Sequence, residues 1–148
     1  MTRREARLRG DDGSILPLTV FFGFLALVLV LVVVAATSLY LERKRLFGLA
    51  DGAAVVGAES FDLAAVEATA SGARPRLRSP DVASAVTGFV RGPAGARFES
   101  LEVLRAETTD GRSATVELAA YWRPPVVTLL VPEGFRIEVT AVARSVFE

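Results

Sequence analysis

The first third of the chain is dominated by an uninterrupted run of apolar residues. Residues 14–41 are 28 positions without a charge, and 14 of the positions 18–36 are Leu, Val or Phe. About 20 apolar residues suffice for a helix to cross the hydrocarbon core of a bilayer. These side chains together favour insertion by about 6 kcal/mol. Residues 14–41 are therefore predicted to form a transmembrane helix.

The apolar pattern continues beyond this run with a helical period. Apolar residues recur at spacings of three and four between Leu46 and Phe61, which is typical of an amphipathic helix. We expect residues 42–72 to continue the membrane helix as an extracytoplasmic segment. Gly72 would cap its end, and Pro75 would prevent further helix.

A ladder of small residues lies within this continuation. Small residues allow another helix to approach closely, so the ladder is a candidate packing surface. The alternative is that the ladder lies beneath the sheet of the same molecule. The ladder residues are Gly48, Ala50, Gly52, Ala54 and Ala58.

A second, short helix is predicted over residues 80–91. Ser79-Pro80-Asp81 combines a capping hydroxyl, a proline in the first turn and an early acidic residue, a typical helix start. Gly92-Pro93 ends it. Residues 73–148 would then form a small α+β head.

From Arg97 onward the apolar period changes to two, which predicts strands over about 97–109, 112–123 and 135–147. Asp110-Gly111 predicts a two-residue hairpin turn, with Val103 opposite Leu118 and Leu101 opposite Ala120. The prolines of the segment 124–132 exclude a central strand there. That apolar segment either covers the open end of the core or contacts the membrane surface.

The fold class predicted from these elements is α+β. A long N-terminal helix, transmembrane and then amphipathic, packs on a small three-stranded antiparallel sheet, and one short helix is added. The single apolar face of the sheet needs a cover, and the second half of the long helix provides it.

Composition narrows the function classes. The chain has no cysteine and no histidine, and its formal net charge is zero. These facts exclude disulfides, Cys/His zinc sites and Ser–His–Asp catalysis, and argue against nucleic-acid binding. We therefore expect no enzyme, no catalytic residue, no cofactor and no metal. Charge does not decide orientation, because four arginines precede the apolar run and three basic residues follow it.

Four stretches together resemble the TadE/TadG-like proteins of the tight-adherence (Flp) pilus. The resemblance implies a single-pass, pilin-like minor component or assembly factor with its N-terminus in the cytoplasm and its head outside. Its partners would be the lipid bilayer, other pilus or secretion assembly proteins and, as in many members, a prepilin peptidase. The stretches are residues 12–19, 40–58, 121–127 and 137–144.

The resemblance also implies a leader, residues 1–13, cleaved between Gly13 and Ser14. Pilins usually carry Glu as the fifth residue of the mature chain, where it neutralises a neighbouring terminal amine. This chain has Leu18 at that position. A buried ammonium group without a partner is costly, so a role as the main filament subunit is not expected. The alternative function is a membrane-tethered extracytoplasmic binding or sensor module.

Overall fold

One long helix, α1 (Ile15–Ala58), runs through the first part of the described chain. The computed structural model describes residues 15–61, 67–69, 72–74, 76–124, 128 and 132–144; for 67–69 and 72–74 only the backbone is described. The hydroxyls of Thr19 and Thr37 donate to the carbonyls of Ile15 and Val33, at 2.9 and 2.8 Å. No threonine hydroxyl therefore lacks a partner within the apolar part of α1.

The end of α1 differs from the sequence prediction, which extended the helix to Gly72. The helix ends at Ala58, and the Ser60 hydroxyl donates to the Gly57 carbonyl at 2.7 Å. This side-chain bond satisfies a carbonyl that a continuing helix would have used. Two short strands follow, β1 (Glu67–Thr69) and β2 (Gly72–Arg74), which pair as an antiparallel hairpin.

The short helix α2 spans Ser79–Val90, close to the predicted 80–91. The predicted cap is wrong, because Arg78 occupies the N-cap position without a side-chain bond. The Ser79 hydroxyl instead bonds both the N–H and the carbonyl of Thr108, each at 3.2 Å. Ser79 thus connects α2 to the turn at Thr108, which follows the first strand of the three-stranded sheet, and does not cap α2.

The sheet contains three antiparallel strands in the order β3-β4-β5. Val103 lies opposite Leu118 as predicted, but the register shifts on both sides of this region, and Ser100 adopts a φ of 49° at the first shift. Leu101 is consequently not in register with Ala120. The strands are β3 (Glu99–Glu107), β4 (Ser113–Trp122) and β5 (Phe135–Arg144).

The turn between β3 and β4 is longer than the predicted two residues. The Asp110 carboxylate accepts hydrogen bonds from the backbone N–H groups of Arg112 and Ser113, at 2.8 and 2.7 Å, and Gly111 adopts a positive φ of 66°. These hydrogen bonds to the charged carboxylate lower the pKa of Asp110 from 3.8 to about 2. The carboxylate therefore organises the turn.

The core lies between the second half of α1, α2 and one face of the sheet. Every second residue of β4 from Ala114 to Trp122 is buried, as predicted. The α1 residues facing them recur at helical spacing. They are Leu46, Leu49, Ala50, Ala53, Ala54, Gly57 and Ala58.

The strand β5 runs in the same direction as α1. Trp122, which pairs with Phe135, donates its indole N–H to the Ser38 hydroxyl at 3.3 Å. At the other end of the sheet, Gly57 packs against Ala114, which pairs with Ala143. Phe135 thus marks the end of the head nearest the apolar run.

Candidate functional site

The first 20 residues of α1, Ile15–Val34, are all exposed and uncharged. We call this segment the membrane half. At 1.5 Å per residue it is about 30 Å long, the thickness of a bilayer hydrocarbon core. By length and composition α1 is a candidate membrane-spanning helix, and none of its most apolar stretch is buried inside the protein.

The rest of α1, Ala35–Ala58, carries the head and is called the head half. Its first inward-facing residues are Ala35, which packs against the core, and Ser38, which binds Trp122. The first charged side chain is Glu42. The change from an exposed apolar helix to a packed one therefore occurs at Ala35.

The predicted small-residue ladder divides between two surroundings. Ala50, Ala54 and Ala58 are buried in the core of the same molecule. Gly52 lies under the ring of Phe89, where an added Cβ would be 3.3 Å from the ring, whereas a Cβ on Gly48 would meet nothing within 4 Å. Among the ladder residues, Gly48 alone is exposed.

An open groove of about 760 Å³ runs beside Gly48 between α1 and the α2 end of the head. We call it the Gly48 groove. Leu49, Phe89 and Phe98 supply its apolar surface. Its charged residues on α1 are Glu42 and Arg45, whose side chains lie 3.4 Å apart. The groove therefore combines apolar with charged lining residues.

The groove was only partly predictable. The ladder drew attention to Gly48, but nothing in the residue spacing indicated that Phe89 and Phe98 would form the opposite wall. Arg97, on a single turn of 3-10 helix (Gly95–Arg97), adds a positive charge to that wall. The contact of the Gly48 region of α1 with Phe89 and Phe98, which lie far away in sequence, results from the tertiary fold alone.

Other predicted sites are placed as follows. Gly13 and Ser14 lie outside the described residues. Glu99 and Glu102 form ion pairs with Arg123 and Arg136, each at 3.4 Å. Within the described part of the chain, no group of three His, Cys, Asp or Glu side chains could hold a metal ion.

Comparison with protein families gives a match over α1. Residues 13–60 match the Flp pilus-assembly TadE/G-like family. The matched segment contains all of α1 and two residues on either side. The TadE/G-like match thus covers the membrane half, the head half and the α1 wall of the Gly48 groove.

The match confirms the resemblance over α1 and connects the chain with Flp pilus assembly. It points to a structural role and fits a membrane protein. The α2 helix and the three-stranded sheet lie outside the matched residues. Comparison with curated proteins and with solved structures gives no significant match.

Proposed function

We propose that this protein is a single-pass, pilin-like minor component or assembly factor of a tight-adherence pilus, acting by protein–protein contact. The observation that carries the proposal is the TadE/G-like match, which coincides with a helix built for two surroundings. The membrane half anchors the chain, and the head half presents a folded surface beside the bilayer.

The Gly48 groove is the contact surface that we assign to this role, and its occupant is an apolar helix of another membrane component of the same machine. The groove begins at Glu42, about two turns beyond the membrane half, so a membrane helix of another protein that lies along α1 reaches it by extending about two turns out of the bilayer. Gly48 has no side chain, and close approach of helices depends on such positions. Leu49 and Phe98 provide apolar contact area.

The test compares two glycine variants. Gly48→Leu fills the groove, whereas Gly88→Leu adds the same side chain to an exposed position of α2 that also has nothing within 4 Å. Replacing glycine in a helix is stabilising by up to about 1 kcal/mol, so both variants should fold. We expect the wild type and Gly88→Leu to copurify with the polytopic pilus-assembly platform from detergent extracts, and Gly48→Leu to lose it.

Two results would count against this proposal. Equal recovery of the platform with both variants would exclude the groove as the contact surface. A wild-type protein that runs alone in mild detergent would favour the tethered binding module instead. Thermal unfolding of each purified variant confirms that any lost association is not a loss of fold.

The proposed orientation places the N-terminus in the cytoplasm and the head outside. This orientation is the one that the resemblance to TadE/TadG-like proteins implies. The basic residues on the two sides of the apolar run are nearly balanced and do not decide it. Protease added to intact spheroplasts should digest the chain beyond Glu42. Complete protection of the head, with digestion only after lysis, would reverse the orientation.

Leader removal between Gly13 and Ser14 by a prepilin peptidase is part of the same proposal. The described helix begins at Ile15, so this bond would lie just before α1. Intact-mass measurement of protein from native membranes should show the loss of residues 1–13. Retention of the full leader would make the protein a permanently anchored assembly factor.

A further inference from the structure

The end of the head marked by Trp122 and Phe135 lies at a defined height along α1. Ser38, the hydrogen-bond partner of Trp122, follows the last membrane-half residue, Val34, by four positions. Four residues of helix correspond to about 6 Å. With the membrane half in the hydrocarbon core, Trp122 is held at the depth of the lipid headgroups.

A groove of about 510 Å³ opens at this height between α1 and β5. Its lining changes character along the helix axis. Ala36, Leu39 and Phe135 form the end nearer the membrane half, whereas Arg43 and Glu138 lie further along. Tyr40 also lines the groove and is exposed, and tyrosine and tryptophan are enriched where membrane and water meet.

The head cannot rise from this position without breaking its own core. The Trp122 ring contacts that of Phe135, with centroids 6.1 Å apart, and its indole N–H is bound to Ser38. The sheet above it packs on α1 through buried residues such as Leu46 and Leu118. The groove at Phe135 is therefore fixed next to the exposed surface of the membrane half.

We propose that phospholipids of the adjacent leaflet fill this groove, so that the head is seated directly on the bilayer by its Trp122–Phe135 end. The partner is a lipid surface recognised through apolar and aromatic contact. Of the two arginines on the groove, Arg136 is paired with Glu102 and Glu138, at 3.4 and 2.9 Å, and Arg43 lies at the end further from the membrane half. This proposal rests on α1 crossing the bilayer and is independent of pilus assembly.

The native chain carries its own reporter, since Trp122 is its single tryptophan. The full-length protein is reconstituted in phosphatidylcholine vesicles whose acyl chains carry bromine either near the headgroup or near the chain end. Trp122 is only 7% exposed, but bromine quenches tryptophan fluorescence over short distances without direct contact, so lipid that packs against Phe135 comes within range of the Trp122 ring. We expect a marked loss of Trp122 fluorescence with bromine near the headgroup and a smaller loss with bromine near the chain end.

Two single-cysteine labels on β5 test whether only the Trp122–Phe135 end of the head contacts the bilayer. Phe135→Cys and Val142→Cys place the single cysteine of the chain on the same strand, at side chains that are 47% and 61% exposed. The two sites are seven residues apart, about 23 Å along the strand. A fluorophore at position 135 should be quenched by bromine near the headgroup, and one at position 142 should not.

Vesicle flotation separates the possible failures. Protein that floats with the vesicles but shows no quenching at Trp122 or at position 135 overturns the seat and leaves the membrane span intact. Equal quenching at positions 135 and 142 also overturns it, because the head would then lie on the bilayer without a preferred end. Protein that does not float overturns both the seat and the span.

Discussion

The two halves of α1 differ in the size of their apolar residues and in whether the protein covers them. The membrane half is built from Leu, Val and Phe, and all of its side chains are exposed. The head half is buried chiefly through alanine and glycine, with Leu46 and Leu49 as its large core residues. The most apolar part of the helix is thus the part that the protein itself does not cover.

Different partners explain this contrast. Lipid chains adapt to large side chains of any shape, and each such side chain favours insertion. A β-sheet is a fixed surface, and small residues let a helix backbone lie close to it. Gly57 illustrates the closeness, because a Cβ there would lie 3.2 Å from Ala114, Val82 and Val86. Small residues on the buried face, together with charged residues on the exposed face, distinguish the head half from the membrane half along one continuous helix.

The largest expected difference between the halves comes from truncating one leucine in each. Leu46→Ala removes a side chain that is fully buried in the core, and should lower the free energy of unfolding of the head by about 2–5 kcal/mol. Leu29→Ala, at an exposed position of the membrane half, should leave it unchanged. Denaturant unfolding in detergent, followed by Trp122 fluorescence, measures both. Equal effects would mean that the halves are not independent.

Arginine substitutions sharpen the comparison from the membrane side. Each arginine near the centre of a span disfavours insertion by about 2.5–3.5 kcal/mol, against about 6 kcal/mol in favour from the apolar side chains. Leu25→Arg alone should therefore still insert, whereas Leu25→Arg combined with Leu27→Arg, both close to the centre of the membrane half, should largely fail. Val55→Arg, at an exposed position of the head half, serves as the control. Carbonate extraction of membranes measures the inserted fraction.

A smaller difference in stability is expected between alanine substitutions at two glycines of the head half. Gly57→Ala introduces a methyl group 3.2 Å from three side chains, and such overpacking costs about 1–3 kcal/mol. Gly48→Ala adds the same methyl group in open space and should stabilise by up to about 1 kcal/mol. Opposite shifts in melting temperature are expected. A stabilised Gly57→Ala would show that the helix and the sheet can separate without cost.

The smallest effect is a pH dependence at the far end of the head. The lowered pKa of Asp110 means that its carboxylate stabilises the fold above about pH 4, and that this contribution is lost as pH falls toward 2. The difference in melting temperature between wild type and Asp110→Asn should therefore shrink over this interval. Membrane association, which depends on the other end of the molecule, should not follow the same curve. A melting-temperature difference that stays constant over this pH interval would show that the Asp110 carboxylate does not stabilise the turn.

Periodicity and turn chemistry predicted most of the fold. The 28 uncharged residues, the alternation in β4 and β5, and the Pro80 helix start each act over a few neighbouring residues, and each led to the correct element. The α1 face packed on the sheet was predictable for the same reason, because a sheet with one apolar face needs a cover. The TadE/G-like resemblance rested on the same helix.

The incorrect predictions arose where a side chain made a hydrogen bond or a contact that the periodic pattern of the sequence does not show. The alanine-rich sequence beyond Phe61 is compatible with a helix, but the Ser60 hydroxyl ends α1 at Ala58 by binding Gly57. Ser79 has the right identity for a cap, yet it binds Thr108, 29 residues away. The Gly48 groove depends on a similar long-range meeting of α1 with Phe98. The contacts of Ser79 and Phe98 join residues far apart in sequence, so no local pattern predicts them, whereas the Ser60 bond is local and competes with the helical period.

The hydrogen bond between Ser38 and Trp122 sets an order of events during biosynthesis. The two residues are separated by 84 positions, so at 5–20 residues per second the ribosome needs roughly 4–17 s to deliver the second after the first. During that interval α1 has already emerged, with its small-residue face uncovered. The membrane half can enter the bilayer before β4 exists, and the head then closes on a helix that is already anchored.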